Sequence, residues 1–267
     1  MEKIGLIAGN KRFPILFAEA AKRNGCHIVA VAIKGDTSAA LAKYVDKIHW
    51  LNLGDFGRIP EIFKKEGIDK VAMAGQVSPH RLFSKEVISN KEIKGLLEGI
   101  RDKRADTIFA AVAARLAEAG LELVSSSTFM DDFLPQKGAL TAKEPDKALR
   151  EDISFGLALA KEVAGLDIGQ TVAVKEKAIV AVEALEGTDN VIRRASRICR
   201  GGFTLAKVSK PRQDVRFDIP VVGLNTVRNL IRAKAACLAI EAGKTLFLDR
   251  RESIRLADAK GLVIVAV

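Results

Sequence analysis

Aromatic residues are scarce in this chain: they make up 5% of 267 residues, with one Trp and one Tyr. That content argues against a stacking platform for single-stranded nucleic acid. Cysteine is scarce too. Cys26, Cys199 and Cys237 form no close pair, so neither a disulfide framework nor a zinc motif is expected, and the count fits a reducing cytoplasm. No apolar run approaches the ~18 residues of a membrane span. The first residues read as a strand, not as a basic stretch followed by an apolar signal core. Any membrane association is therefore expected to be peripheral. The chain also lacks internal repeats, low-complexity tracts and a G-x-S-x-G elbow, which leaves Ser125-Ser126-Ser127 as a strand end and not a nucleophile. His27 and His49 sit on strand-like segments and read as structural.

What is present is enough apolar material for real cores, 48% of residues, in a length that suggests two domains. Net charge is +10. Up to Pro135 there are 20 basic and 17 acidic residues, and from Gln136 onward 23 and 16, so the second half carries most of the excess. A basic half suits an anionic partner: nucleic acid, an acidic membrane surface or a phosphorylated small molecule.

The N-terminal half alternates short apolar runs with helical patterns. Strands are expected at Ile4–Ala8, His27–Ile33, Ile48–Leu51, Lys70–Ala74 and Glu122–Ser125, and helices over 13–23, 55–65 and 91–119. Such alternation predicts a Rossmann-like parallel sheet with helices on both faces, which binds ligands at the carboxyl ends of its strands. A loop-like seam over 130–146 divides the chain into residues 1–133 and 134–267. The second part is expected to be α/β as well. It reads as a helix over 152–163, a strand pair at 170–175 and 178–183, a helix over 189–199 and a strand at 205–208. A long helix over 226–242, a strand at 245–248, a helix over 252–259 and a strand at 262–266 close it.

Three constellations could carry chemistry. The turn Gly9-Asn10 follows the first strand, and Gly75-Gln76 follows the fourth on the same predicted edge. Glycine lets backbone approach a ligand, and the helix after Gly9 favours an anion at its N-terminus. Lys11 interrupts a G-x-G-x-x-G pattern, and Asp36, after Gly35, has no clear ribose-binding geometry, so a dinucleotide site is weakly indicated. The second constellation runs from Glu183 to Arg194, with Glu186-Gly187-Thr188-Asp189 at its centre and Arg193 and Arg194 one turn further on. Thr188 or Asp189 could cap the helix, Glu186 and Asp189 could bind a metal, and the arginines could take phosphate. The third runs from Lys210 to Pro220, where two prolines bracket Arg212, Gln213, Asp214, Arg216 and Asp218. Carboxylates suit a hard divalent cation, and Arg and Lys suit phosphate oxygens. In an extended segment Asp214 and Asp218, four apart, face the same side.

Together these pieces resemble the LpxI-type UDP-2,3-diacylglucosamine pyrophosphatases of lipid A synthesis: A-G-N near the start, A-G-Q-V after a strand, E-G-T-D before an Arg pair, and K-P-x-Q-D-x-R-F-D-x-P. They occur in the family's order over nearly the whole chain. The resemblance implies a two-domain α/β enzyme that holds its ligand between the domains. It implies hydrolysis of UDP-2,3-diacylglucosamine to UMP and 2,3-diacylglucosamine 1-phosphate with Mg²⁺ or another divalent cation. Carried over, it makes Asp214, Asp218, Gln213 and Arg216 the candidate catalytic residues. Gly9, Asn10, Gly75, Gln76, Thr188, Arg193, Arg194 and Lys210 become the candidate substrate contacts, and Asp214, Asp218, Glu186 and Asp189 the candidate metal ligands. One departure is Lys11, where relatives often have glycine. A cytoplasmic location with peripheral contact at the inner membrane is expected, nucleic acid is not an expected partner, and a homodimer is allowed. The competing readings are a nucleotide- or dinucleotide-binding oxidoreductase, and a basic nucleic-acid or lipid-surface module without catalysis.

Overall fold

The computed structural model describes residues 1–78, 102, 105–211, 214, 216 and 219–267. The chain divides into two compact units, one of residues 1–131 with 214–218, the other of residues 132–213 with 219–267.

The first unit is built on β1 (Lys3–Ala8), β2 (His27–Ile33), β3 (Lys47–Leu51), β4 (Lys70–Ala74) and β5 (Glu122–Leu123). They pair in the order β3-β2-β1-β4-β5, all parallel. β1 and β2 are buried along almost their whole length, which is why both read as continuous apolar runs without alternation. One face packs Ile7, Val29, Val31 and Val71 against α2 (Ile59–Lys65) and α3 (Ala105–Glu118) through Ile59, Phe63, Val112 and Leu116. The alternate residues Leu6, Ile28 and Ala30 are also buried, and α1 (Phe13–Arg23) contacts β1, β2 and β4. α1 starts with a proline in its first turn and ends on Asn24, whose side chain returns to the Ala20 carbonyl. The helix expected over 55–65 is a 3₁₀ segment, Leu53–Arg58, followed by α2. Of the long helix expected over 91–119, α3 covers the C-terminal part; residues 91–101, 103 and 104 lie outside the described ones.

The second unit is a mixed sheet in the order β6-β13-β11-β9-β7-β8. Its strands are β6 (Gly138–Ala139), β7 (Thr171–Lys175), β8 (Ala178–Val182), β9 (Thr204–Lys207), β11 (Cys237–Ile240) and β13 (Val263–Ala266). β9, β11 and β13 run parallel, and β6, β7 and β8 are antiparallel to their neighbours. A separate parallel pair joins β10 (Val221–Val222) to β12 (Leu246–Phe247). Strand alternation sorts the core into two faces. Leu205, Leu238, Ile240 and Ile264 meet α5 (Thr188–Cys199), α6 (Leu224–Arg232) and α7 (Arg250–Lys260) through Val191, Ile192, Val227, Leu230 and Ala257. Ala206, Val172 and Val174 on the other face meet α4 (Lys147–Gly165) through Ala160, Val163 and Ala164, and Cys237, Ala239 and Val263 meet its Ile153.

α4 begins earlier than expected because Asp146 caps it, accepting the Leu149 amide at 2.9 Å. Asp152, buried on the same helix, accepts the amides of Glu176 (2.9 Å) and Lys177 (2.7 Å) and so fixes the β7–β8 turn. The expected helix over 226–242 is wrong. α6 stops at Arg232, Lys234 turns with φ 54°, and residues 237–240 form the sheet's β11.

Candidate functional site

In the first unit the strand order reverses between β1 and β4, the switch point at which open parallel sheets leave a crevice beyond the strand ends. The four N-terminal candidates meet there. The Gly9 amide donates to the Ala74 carbonyl at 2.8 Å, and the Asn10 amide to the Gln76 carbonyl at 2.7 Å. The two turns touch so closely that no side chain fits between them. A Cβ on Gly9 would lie 2.6 Å from both Gln76 N and Gln76 O, and one on Gly75 (φ 84°) would lie 2.6 Å from the Asn10 carbonyl oxygen.

Side chains then frame the crevice. Asn10 Nδ2 donates to Ser78 Oγ at 3.3 Å, and Ser78 Oγ donates to Asp36 Oδ1 at 2.6 Å. The Asn10 Oδ1 atom is buried and accepts no hydrogen bond among the described residues. Thr37 ties the end of β2 to β1 by donating to the Ala8 carbonyl at 2.5 Å and accepting the Ile33 amide at 2.9 Å. α1 opens beside the crevice with neither a side-chain cap nor an acidic residue in its first turn, so its N-terminal field favours an anion. Ser78 and Thr37 are not among the sequence-predicted site residues. The Gly35-Asp36-Thr37 turn after β2 is the signal that could have found them.

The Lys210–Pro220 segment is described in part. Arg216 grips Asp214 from both ends: Nε donates to Oδ1 at 2.9 Å and an amino group to Oδ2 at 2.6 Å. The Arg216 backbone amide adds a bond to Oδ1 at 3.1 Å. That bidentate partner holds the Asp214 carboxyl below the usual carboxylate range, while burial opposes the shift. Asp214 is accordingly a fixed anion and a weak base. Ser126, itself buried, donates to the Arg216 carbonyl at 2.8 Å and anchors the segment within the first unit. Arg212, Gln213 and Asp218 lie outside the described residues, and with them the expected common face of Asp214 and Asp218. Lys210 is 8% exposed, and its ammonium sits 2.6 Å from Oδ1 of the half-buried Asp167, just past the end of α4.

In the second unit the E-G-T-D element forms the corner between β8 and α5. Neither Thr188 nor Asp189 caps the helix; Gly187, at φ 80°, is the N-cap residue and makes no side-chain bond. Thr188 is instead the centre of a buried polar group. Its hydroxyl donates to Glu183 Oε1 at 2.8 Å and accepts from Lys207 Nζ at 2.9 Å. Lys207, the last residue of β9, also donates to Thr171 Oγ1 at 3.3 Å and lies 4.0 Å from Glu183 Oε2. Both charged residues are below 9% exposed. Glu183 opens the acidic run that leads to Thr188, but its partner Lys207 lies two strands away on β9.

The remaining residues of that element have separate partners. Glu186 accepts the Ala184 amide at 3.0 Å and pairs with Arg194 at 2.9 Å, and Arg194 also donates to the Val182 carbonyl. Asp189 Oδ1 accepts Asn229 Nδ2 at 2.8 Å, and Arg193 donates to Asn190 Oδ1 at 2.8 Å. Among the described residues no three His, Cys, Asp or Glu side chains gather as a metal would require. Glu186 accepts from a cation and an amide, and Asp189 from an amide. His49 pairs with Glu66 at 3.0 Å and His27 lies 3.7 Å from Asp46, so neither belongs to the crevice.

Residues 3–133 match the LpxI N-terminal domain model, and residues 136–265 match the LpxI C-terminal domain model. The UDP-2,3-diacylglucosamine pyrophosphatase LpxI of Caulobacter vibrioides is 31% identical over 277 aligned positions, spanning 100% of this chain and 98% of that protein. Among solved structures, the biotin carboxylase subunit of pyruvate carboxylase is 16% identical with a TM-score of 0.30, over 75% of this chain and 42% of that one. Phosphoribosylglycinamide synthetase from Anaerococcus prevotii is 13% identical with a TM-score of 0.28, over 67% and 38%. This chain spans less than half of either, and at those scores the likeness bears on neither fold nor function.

Proposed function

This chain belongs to the LpxI family, and from that premise we propose that it hydrolyses the diphosphate of UDP-2,3-diacylglucosamine in lipid A synthesis. Water attacks the sugar-side phosphorus. The bond from that phosphorus to the bridging oxygen breaks, UMP leaves with the bridging oxygen, 2,3-diacylglucosamine 1-phosphate keeps the water oxygen, and a proton is released. The observation that carries the reading is the full-length match to a protein of that name. The crevice at the end of β1 and β4 supports it: side-chain-free turns, an open acceptor on Asn10 and an uncapped helix suit part of a nucleotide diphosphate.

In this reading Gly9, Asn10, Gly75 and Gln76 hold the nucleotide end. Arg193, Arg194 and Arg216 offer charge to phosphate oxygens, and Asp214 and Asp218, with Gln213, form the catalytic segment. Neutralising the diphosphate as charge shifts toward the leaving group is the largest catalytic demand. Mg²⁺, or another divalent cation, belongs to the proposal on that ground, with Asp214, Asp218, Glu186 and Asp189 as the carboxylates that would hold it; no three of the described carboxylates gather in one cluster. Lys210 and Thr188 act by shape, since each is held by a partner within the second unit, Asp167 and Glu183. The diacyl substrate resides in a bilayer, so the reading includes a cytoplasmic protein in peripheral contact with the inner membrane. No helix among the described residues is long and apolar enough to cross one.

Incubation with UDP-2,3-diacylglucosamine, with and without Mg²⁺, tests the proposal by UMP release. Turnover that is lost on chelation and restored by Mg²⁺ is expected, and no turnover under either condition would sink it. Asp214→Ala and Asp218→Ala are each expected to lower turnover by at least ~100-fold while unfolding near the wild-type midpoint. Wild-type rates in both variants would remove the segment from the site.

A further inference from the structure

The two helical faces of the second unit's sheet differ sharply in charge. α4, which covers one face alone, carries three basic and three acidic residues and is neutral. α5, α6 and α7, which cover the other, carry nine basic and three acidic residues, a net charge of six positive within 32 residues. Eight of the nine are arginines. The three helices form one layer, since α6 contacts both α5 and α7. Their buried sides are the apolar residues of the core, so the charge is displayed outward: Arg193, Arg194, Arg197, Arg228, Arg232, Arg251 and Arg255 are exposed.

The acids on this layer are partly spent. Glu252 lies 3.4 Å from Arg228, Asp258 accepts the Ala142 amide at 2.8 Å, and Asp189 accepts Asn229 Nδ2 at 2.8 Å. Arg197, Arg251 and Arg255 make no ion pair among the described residues. Folding therefore does not account for the excess. Arginine's planar fork binds phosphate oxygens in pairs, which makes this face a match for a sheet of phosphate groups. Within the same layer Ile198 is 61% exposed, an apolar side chain one residue from Arg197. None of the three helices carries an aromatic residue that could stack on a base.

We propose that the α5–α6–α7 face is a docking surface for an anionic phospholipid bilayer, with Arg197, Arg228, Arg232, Arg251 and Arg255 on headgroup phosphates and Ile198 at the acyl boundary. The proposal rests on the lipid-substrate reading for its choice of bilayer over nucleic acid. Juxtaposed basic residues near an anionic surface add attraction that falls within a Debye length, so contact should be strong at low salt and weak at high salt.

Sedimentation with vesicles tests it, using phosphatidylcholine alone and phosphatidylcholine mixed with phosphatidylglycerol. The wild-type chain is expected to pellet with the anionic vesicles, to leave them as salt rises, and to ignore the neutral ones. The quadruple variant Arg197→Glu/Arg232→Glu/Arg251→Glu/Arg255→Glu should bind anionic vesicles at least ~10-fold more weakly, with UMP release from detergent-dispersed substrate within about twofold of wild type. The four single Arg→Gln variants test the same point in smaller steps should the quadruple variant not fold: each weakens vesicle binding if the proposal holds. Unchanged vesicle binding in these variants overturns it, as does equal binding of the wild type to neutral vesicles, or tighter binding to duplex DNA than to anionic vesicles. Loss of UMP release in the wild type would instead defeat the activity, and leaves the vesicle result to stand or fall separately.

Discussion

Two strand-to-helix corners, one in each unit, solve the same packing problem by different means. The corner from β1 to α1 is closed by backbone: Gly9 against Gln76 and Gly75 against Asn10, with no room for a Cβ. The corner from β8 to α5 is closed by side chains: Glu183, Thr188, Lys207 and Thr171 bond one another in a buried knot. The first leaves an acceptor on Asn10 unused and a helix end uncapped, so it keeps polar capacity for something else. The second bonds its hydroxyls and Lys207 internally but leaves Glu183 Oε2 buried without a hydrogen bond among the described residues. Motif likeness alone places both corners among the substrate contacts. Their hydrogen bonds differ in kind: the first corner is joined backbone to backbone, the second side chain to side chain.

The largest expected effect breaks the second corner. Lys207→Met leaves Glu183 buried with its charge unmatched and should cost about 3–5 kcal/mol in urea unfolding. Adding Glu183→Gln to it should recover a large part, since removing both charges also removes the desolvation of each. A double variant no more stable than the single one would show that shape, not charge, holds that corner. The first corner admits no such rescue. Gly9→Ala should cost about 3 kcal/mol from overpacking, and Gly75→Ala a similar amount because φ 84° is added to the clash. Both should weaken UMP binding, as titration calorimetry would show; wild-type stability in Gly9→Ala would refute the close approach.

A third effect is pH dependence in the second unit. Burial raises the Glu241 carboxyl, but hydrogen bonds from Lys161 at 2.7 Å and from the Ser209 hydroxyl and amide outweigh it and hold it below the ordinary glutamate value. A folded-state value below the unfolded one means this stability is present above about pH 4.3, the unfolded reference. It is lost as pH falls from there through the folded value. Glu241→Gln should flatten that part of the acid-unfolding curve; an unchanged curve would assign the acid transition to other carboxylates. The smallest effect is a gain. The β7–β8 turn has Glu176 and Lys177 both at positive φ (51° and 59°), so Glu176→Asn should add about 0.5 kcal/mol to the thermal stability. A loss there would mean that Asp152, through its two amide bonds, already determines the turn.

The parallel sheet of the first unit is legible in the sequence because its punctuation is local. Gly9 ends β1, Gly25 ends α1 and Gly75 ends β4, each at the boundary of an apolar run. β11 is not. Cys237 to Ile240 is buried on both faces between β9 and β13, so it has no alternation, and the alanines before it favour helix. No glycine or proline marks the break; Lys234 makes it in a left-handed conformation that its sequence does not advertise. Tertiary pairing overrides local preference there. In the candidate site, turns can be read and partners cannot. Gly75 and Gln76 announce a turn, whereas Asp167 beneath Lys210, Asn229 beneath Asp189 and Glu183 beneath Lys207 are supplied by residues distant in sequence or by another element.

The pairing of β6 with β13 sets an order of events during synthesis. The sheet of the first unit is complete once residue 123 has been made. The second unit's sheet takes its opening strand at residues 138–139 and lays it against residues 265–266, with β11 and β13 interior to the sheet. A nascent chain can therefore assemble the first sheet early and must carry α4, β7, β8 and β9 without β11 until residue 240 emerges, and β6 without β13 until residue 266. The apolar edge of β9 is bare until residue 240, and that of β11 until residue 266, so the later-made sheet is the one that exposes unpaired strand edges for longest.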